Sequence, residues 1–125
     1  MTYLIDTNVI IRFLVGDDEK FLAKSIEYFK DIEVAKLEVE ILEGVVMEVL
    51  FVLTKFYKIP KTQVIADLKT ILALDGVVNN NKTILHEALT IVEMKNIDFV
   101  DALICAKSSI QGYGKLSFDN DARKC

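Results

Sequence analysis

Cysteine, histidine and proline are scarce in this chain, and tryptophan is absent. The two cysteines, Cys105 and Cys125, do not have the spacing of a metal site. Cys105 lies in an apolar helical stretch and is predicted to be a buried thiol, whereas Cys125 is predicted to be mobile. A structural disulfide between them is the alternative, although such bonds are uncommon in a reducing cytoplasm. The only histidine, His86, lies on a predicted amphipathic helix, where we expect a surface residue rather than a catalyst.

Long apolar runs are also missing. A helix needs about 20 apolar residues to cross a bilayer, and no run in the sequence approaches that length. The first residues, MTYLIDTN, contain neither the basic segment nor the apolar stretch of a secretory signal. We therefore expect a cytoplasmic protein that does not enter a membrane.

An excess of positive charge is the third absence. The formal net charge of −4 argues against a protein that binds nucleic acid through bulk positive charge. It does not exclude a nuclease, because four clustered carboxylates would account for the whole excess. The 15 lysines and arginines are enough for a local basic rim. With 52% hydrophobic residues, a chain of 125 residues is expected to fold as a single domain over residues 1–125.

Four acidic residues stand inside apolar runs or directly after them: Asp6, Glu48, Asp101 and Asp119. A carboxylate in apolar surroundings is costly unless a proton, a cation or hydrogen-bond donors compensate its charge. Four such residues in one small chain suggest a shared compensator. A divalent metal ion is the simplest candidate, because hard cations take oxygen ligands.

The hydrophobic pattern alternates between strand and helix periods. Strands are predicted over residues 2–5, 36–42 and 115–118, with a very short one at 77–78. Helices are predicted over residues 9–14, 19–30, 44–57, 62–74, 83–95 and 98–110. Strands separated by helices indicate an α/β fold with a mainly parallel sheet. Ligands bind beyond the carboxyl ends of such strands, and Asp6 and Asp119 lie just past the first and last of them.

Each acid also has a structural interpretation. Asp6 could cap the helix that follows it, although Thr7 and Asn8 could fill that role too. Glu48 could pair with a distant lysine or arginine. Asp98 and Asp101 could be a helix cap and a first-turn acid, which fits Asp98 better. The segment Asp119-Asn120-Asp121 could be an ordinary polar turn.

Taken together, the acids and their contexts resemble the PIN-domain family of metal-dependent ribonucleases. The resemblance extends over nearly the whole chain and rests on four motifs. In chain order these are Tyr3-Leu4-Ile5-Asp6-Thr7-Asn8-Val9, Val46-Met47-Glu48-Val49-Leu50-Phe51-Val52-Leu53, Asp101-Ala102-Leu103-Ile104-Cys105-Ala106 and Ser117-Phe118-Asp119-Asn120-Asp121. No single motif is diagnostic, but the combination is specific. Ser117 stands where the family commonly has threonine and keeps the hydroxyl.

At this length the chain is similar to the toxins of VapC-type toxin–antitoxin pairs. The resemblance implies a three-layer α/β/α fold with a short, mainly parallel central sheet. It also implies an RNA substrate, Mg²⁺ or Mn²⁺ as cofactor, a homodimer and a cognate antitoxin. Asp6, Asp101 and Asp119 would be metal ligands, and Glu48 would complete the catalytic set. Thr7, Asn8, Ser117 and Asp121 would assist them, and cleavage would leave a 5′-phosphate.

Two hypotheses from other classes compete with the nuclease. A phosphoacceptor receiver domain has a similar length, sheet type and acidic Mg²⁺ pocket. It would need adjacent acids after the first strand and an aspartate ending a middle strand, whereas Thr7 follows Asp6 and Glu48 is on a predicted helix. The other hypothesis is an interaction module that keeps the fold without catalysis, and the presence of all four acids gives it no support.

Overall fold

The described part of the chain forms six helices and two short strands. The computed structural model describes residues 1–118 and residue 125. These residues divide into two compact units, Met1–Asn80 and Asn81–Cys125. The predicted α/β class with a short parallel sheet is confirmed. The prediction of a single domain over residues 1–125 stays a prediction.

The two strands of the first unit pair in parallel. Strand β1 (Thr2–Leu4) lies beside β2 (Glu38–Glu40), with Tyr3 opposite Val39. A parallel bridge joins Val39 to Val77, and the Val39 N–H donates to the Gly76 carbonyl at 2.7 Å. Val39 therefore lies between Tyr3 and Val77 in the parallel pairing, and it is 3% exposed. The predicted strands at 2–5 and 36–42 are therefore present in shortened form, whereas the one predicted at 77–78 is reduced to the single bridge at Val77.

Four helices complete the first unit, and each begins and ends within three residues of its predicted position. They are α1 (Thr7–Val15), α2 (Glu19–Glu33), α3 (Glu43–Lys55) and α4 (Lys61–Leu72). Helix α1 packs against α2 and α3, and α3 packs against α4. The helical period of the sequence predicted these elements because one face of each is apolar and buried.

Local chemistry ends α1 and begins α2. Gly16 has φ 69°, a left-handed conformation that suits glycine, and its N–H donates to the Arg12 carbonyl at 3.1 Å. The Asp18 carboxylate accepts a hydrogen bond from the Phe21 N–H at 3.2 Å and so caps α2. The connection is therefore short. The rings of Phe13 and Phe29, whose centroids are 4.2 Å apart, stack between the two helices.

The core of the first unit combines side chains from the sheet and all four helices. Its most fully buried members include Ile10, Ile32, Ile41, Val46, Val49, Leu53, Val64, Ile65, Leu68 and Val77. Gly76 packs closely against the backbone of two other residues. A Cβ at position 76 would overlap the carbonyl oxygens of Ile32 and Leu37. Only glycine fits there without displacing the backbone.

The second unit contains two helices packed against each other, α5 (Lys82–Lys95) and α6 (Phe99–Gln111). Asn96, with φ 54°, ends α5 in the left-handed conformation, and Gly112, with φ 71°, ends α6 in the same way. Leu85, Leu89 and Ala106 are among the residues buried in this unit. Across residues 1–118 and 125, no helix has both the length and the apolar character needed to cross a membrane.

A disulfide links Cys105 of α6 to Cys125, with the two Cα atoms 5.3 Å apart. The prediction that Cys105 is buried is confirmed, since it is 2% exposed. The predictions of a free thiol at Cys105 and a mobile Cys125 were wrong. The two cysteines are 20 residues apart, and their pairing depends on the path of the chain between them, which residue spacing does not reveal.

The predicted strand at 115–118 was wrong. Residues 112–118 contain no strand, and the side chains of Leu116 and Phe118 are fully exposed. An apolar alternation indicates a preference for extended backbone, but a strand also needs a neighbour that receives its backbone hydrogen bonds. Residues 119–124 lie outside the described part of the chain.

Candidate active site

Asp6 lies at the junction between β1 and α1. Its backbone is extended, with φ −83° and ψ 150°, and its carbonyl accepts from the Val9 N–H at 3.1 Å. It is the N-cap residue of α1, yet its carboxylate accepts no capping hydrogen bond. The side chain is exposed. Helix capping therefore does not occupy this carboxylate, which stands at the positive end of the α1 dipole.

The two polar residues after Asp6 have different environments. Thr7 is the first residue of α1 and is 5% exposed. Asn8 is exposed and lines a cavity that Asp6 also lines. Of this pair, Asn8 is therefore the residue that a ligand beside Asp6 can reach directly, and Thr7 belongs to the packed interior.

Glu48 lies on the exposed face of α3. Val46 and Val49, its neighbours along the chain, are both 0% exposed, but the Glu48 side chain is exposed to solvent. The expectation that Glu48 is surrounded by apolar groups was wrong, because adjacent residues on a helix point in different directions. The ion pairs Arg12–Asp17 and Lys24–Glu27 do not involve Glu48. Helix α1, which Asp6 precedes, packs against α3, the helix that contains Glu48.

Asp101 occupies the first turn of α6 and is half-buried. A carboxylate in this turn interacts favourably with the helix N-terminus. Asp98 is the N-cap residue of α6, as its structural interpretation predicted, although its side chain makes no capping hydrogen bond. One turn after Asp101, Cys105 forms the disulfide to Cys125.

The fourth motif is only partly described. Ser117 is half-buried, whereas Asp119 and Asp121 lie outside the described residues. Within residues 1–118 and 125, no three His, Cys, Asp or Glu side chains come together as a metal-binding group. The predicted set of Asp6, Glu48, Asp101 and Asp119 thus remains a prediction.

Two cavities in the first unit reach Asp6. One, of about 420 Å³, is lined by Tyr3, Leu4, Ile5, Asp6, Val9, Tyr28, Ile32, Leu37 and Val39. The other, of about 470 Å³, is lined by Asp6, Asn8, Val9, Arg12, Phe21, Lys24, Ser25 and Tyr28. Aromatic rings line both cavities, but only the second lining contains cations, Arg12 and Lys24. Asp6, Val9 and Tyr28 belong to both linings, so a ligand in either cavity lies beside Asp6.

The number of lysines and arginines indicated that a local basic rim was possible, but it did not indicate which residues form it. Arg12 of α1 and Lys24 of α2 supply positive charge in the second cavity, between the exposed rings of Phe21 and Tyr28. A signal was available, because Phe21, Lys24 and Tyr28 are three, four and seven residues apart and therefore share one face of α2.

The donor atoms found here suit a hard divalent cation. Asp6 and Glu48 both present exposed carboxylate oxygens, and the Asp6 carboxylate is not used for capping. Mg²⁺ and Mn²⁺ prefer oxygen ligands and keep several waters, which a solvent-accessible site permits. The chemistry of these oxygens therefore suits either ion, although the acids of residues 1–118 and 125 do not form a three-ligand group.

Comparison with known proteins gives the family. A family model described as PIN domain matches residues 3–125, and so spans both units. No curated protein and no solved structure gives a significant match. PIN domains are generally nucleases and typically bind divalent metals. With the match covering almost the whole sequence, the chain belongs to the PIN domain family.

Proposed function

We propose that this chain is a metal-dependent endoribonuclease and the toxin component of a type II toxin–antitoxin system. One observation gives the main support: Asp6 is exposed, its side chain makes no capping hydrogen bond, and the residue lines two cavities in a chain of a nuclease family. The proposed catalytic residues are Asp6, Glu48, Asp101 and Asp119.

The proposed roles follow from residue chemistry. Asp6, Asp101 and Asp119 would hold Mg²⁺ or Mn²⁺ through carboxylate oxygens. When bound, the metal would neutralise negative charge on the scissile phosphate and lower the pKa of a water bound to it. Glu48 would orient the attacking water and accept its proton. The water oxygen forms a bond to phosphorus as the bond to the 3′ oxygen breaks, which leaves a 5′-phosphate and a 3′-hydroxyl.

Other residues would assist. Asn8 is exposed beside Asp6 and would contact the substrate or hold the carboxylate in place. Thr7 is buried directly below the junction and would fix the start of α1. Ser117 and Asp121 are proposed to position the fourth acid, Asp119.

We also propose a homodimer in the cytoplasm and a cognate antitoxin as partner. Large exposed apolar side chains, which include Phe51 and Phe56, support association of the first unit with another protein surface. An antitoxin would place a basic side chain against the Asp6 carboxylate. Light scattering of the purified chain tests the dimer. Titration with the product of the neighbouring gene tests the antitoxin.

The competing hypotheses have less support. A receiver domain needs its phosphoacceptor at the end of a middle strand, whereas Glu48 lies within helix α3. The hypothesis of an interaction module without catalysis would be excluded by a measured ribonuclease activity of the purified chain.

The deciding experiment incubates purified protein with a pool of single-stranded RNAs in Mg²⁺, in Mn²⁺ and in EDTA. We expect cleavage with either metal, none in EDTA, and products bearing 5′-phosphates. Intact RNA in both metals would contradict the proposal.

A further inference from the structure

The cavity of about 470 Å³ beside Asp6 differs in chemistry from the rest of the molecule. We name it the α1–α2 cleft and define it by Asp6, Asn8, Arg12, Phe21, Lys24 and Tyr28. Its lining contains two cations and one carboxylate, although the whole chain has a formal net charge of −4. Two cationic side chains therefore lie in the same cavity lining as the proposed catalytic Asp6, where a phosphate of an approaching polyanion could contact them.

Both cations of the cleft can exchange their present partners for a ligand. Arg12 Nη1 lies 3.3 Å from Asp17 Oδ1, and the two side chains are 34% and 43% exposed. Lys24 Nζ lies 3.8 Å from Glu27 Oε2, with side chains 58% and 71% exposed. Exposed pairs of this kind contribute only about 0–1 kcal/mol each. A phosphate oxygen can therefore replace either carboxylate at little cost.

Each cation lies over an aromatic ring. The Arg12 guanidinium carbon is 5.6 Å from the centroid of Phe21, and the Lys24 ammonium is 5.2 Å from that of Tyr28. Phe21 is 53% exposed and Tyr28 is 38% exposed. Alternating cations and accessible rings are the chemistry of surfaces that bind single-stranded nucleic acid, because cations contact phosphates while bases stack on rings. Paired bases of a duplex are not available for such stacking.

We propose that the α1–α2 cleft binds the unpaired RNA segment next to the scissile phosphate. Arg12 and Lys24 contact phosphate oxygens, and Phe21 and Tyr28 stack on bases. The inference rests on the proposed function, since Asp6 gives the cleft its place beside the cleavage point. It adds the four side chains of this chain that would contact the RNA: Arg12, Phe21, Lys24 and Tyr28.

Binding is measured without catalysis, by fluorescence anisotropy of a labelled single-stranded RNA of mixed sequence in EDTA. The charge variants are Arg12→Gln and Lys24→Gln, with Lys30→Gln as control because Lys30 is an exposed cation of α2 outside the cleft. The ring variants are Phe21→Leu and Tyr28→Leu. Their control is Tyr113→Leu, because Tyr113 is 60% exposed and does not line the cleft. Circular dichroism confirms that each variant is folded.

We expect each ring variant to weaken binding about fivefold to a hundredfold, which corresponds to about 1–3 kcal/mol of stacking per base. Each charge variant should reduce the slope of log Kd against log salt by about 0.7, the value for one lost phosphate contact with a single strand. Both controls should bind like the wild type. The wild type should also bind the single strand more tightly than a duplex of the same sequence.

Wild-type affinity in all four cleft variants, or equal affinity for the duplex, would overturn the inference. So would a shift in the monomer–dimer equilibrium of the cleft variants with unchanged RNA binding, since the cleft would then be a protein interface. A wild type that cleaves RNA while the cleft variants bind normally removes this inference alone. A wild type that binds RNA through the cleft but never cleaves it removes the proposed function alone.

Discussion

The side-chain amide of Asn79 holds both backbone groups of Ile41. Asn79 Nδ2 donates to the Ile41 carbonyl at 2.7 Å, and Asn79 Oδ1 accepts from the Ile41 N–H at 2.8 Å. Asn79 is 9% exposed and Ile41 is 1% exposed, so water does not readily replace either bond. The amide acts as a strand partner just beyond β2 and fixes the chain immediately before α3, the helix that contains Glu48.

Replacement of Asn79 by aspartate should destabilise the first unit. The substitution removes the Nδ2 donor and places a carboxylate oxygen against the Ile41 carbonyl, which leaves buried polar groups without hydrogen bonds. Such groups cost about 1–3 kcal/mol each. Urea unfolding should show a loss of that size, whereas Asn80→Asp, at an exposed neighbour, should change the free energy of unfolding by less than about 0.5 kcal/mol. Equal stability of the two variants would contradict the role of Asn79.

Gly76→Ala should be strongly destabilising. The new Cβ would overlap the carbonyl oxygens of Ile32 and Leu37, both of which are fixed backbone atoms. We expect a loss of at least about 1–3 kcal/mol, the usual cost of overpacking. Gly44→Ala is the matched control, because a Cβ there meets nothing within 4 Å and alanine favours helix α3. Equal Tm values for Gly76→Ala and Gly44→Ala would show that the backbone around position 76 can shift to accommodate a Cβ.

Loss of the disulfide should weaken the second unit. The bond joins residues 20 apart, and closing a loop of that order stabilises a fold by about 3 kcal/mol in the chain-entropy account. Cys125→Ser and dithiothreitol should therefore lower the free energy of unfolding by similar amounts, and the reductant should have no further effect on the variant. Mass spectrometry after thiol alkylation reports the bond directly. Two alkylated cysteines in the purified, unreduced protein would contradict the pairing.

Metal should stabilise the wild type but not an Asp6→Asn variant. Asp6 is exposed and its carboxylate makes no capping hydrogen bond. In EDTA, Asp6→Asn should therefore change the free energy of unfolding by less than about 0.5 kcal/mol. A ligand that binds only the folded state stabilises it by linkage, so Mn²⁺ should raise the Tm of the wild type. An equal rise in the variant would mean that the metal binds without Asp6.

The helices could be predicted from the sequence because apolar periodicity reports which face is buried. The prediction failed where the outcome depends on distant parts of the chain. Residues 115–118 alternate as a strand does, yet Leu116 and Phe118 are exposed. The hydrogen bonds between Asn79 and Ile41 could not be predicted from the sequence, because the two residues are 38 apart along the chain.

The candidate site shows the same division. Asp6 and Glu48 could be identified from the family motifs in the sequence. Their burial could not be predicted, because an acid within an apolar run of sequence can still be exposed. Glu48 is exposed while Val46 and Val49 are not, because a helix turns successive residues by about 100°. The cations and rings of the α1–α2 cleft come from two helices. Their meeting depends on the packing of α1 against α2, which the spacing within either helix does not reveal.

The most direct test of the central claim is the rate of RNA cleavage in Mg²⁺ or Mn²⁺ by Asp6→Asn, Glu48→Gln, Asp101→Asn and Asp119→Asn. Asp75→Asn and Glu93→Gln serve as controls, because both acids are exposed and lie outside the four motifs. We predict that each motif variant loses at least about a hundredfold in kcat/KM, the lower range for removal of a group that acts in the transition state. Both controls should keep wild-type rates. Full activity in any two of the four motif variants would contradict the account.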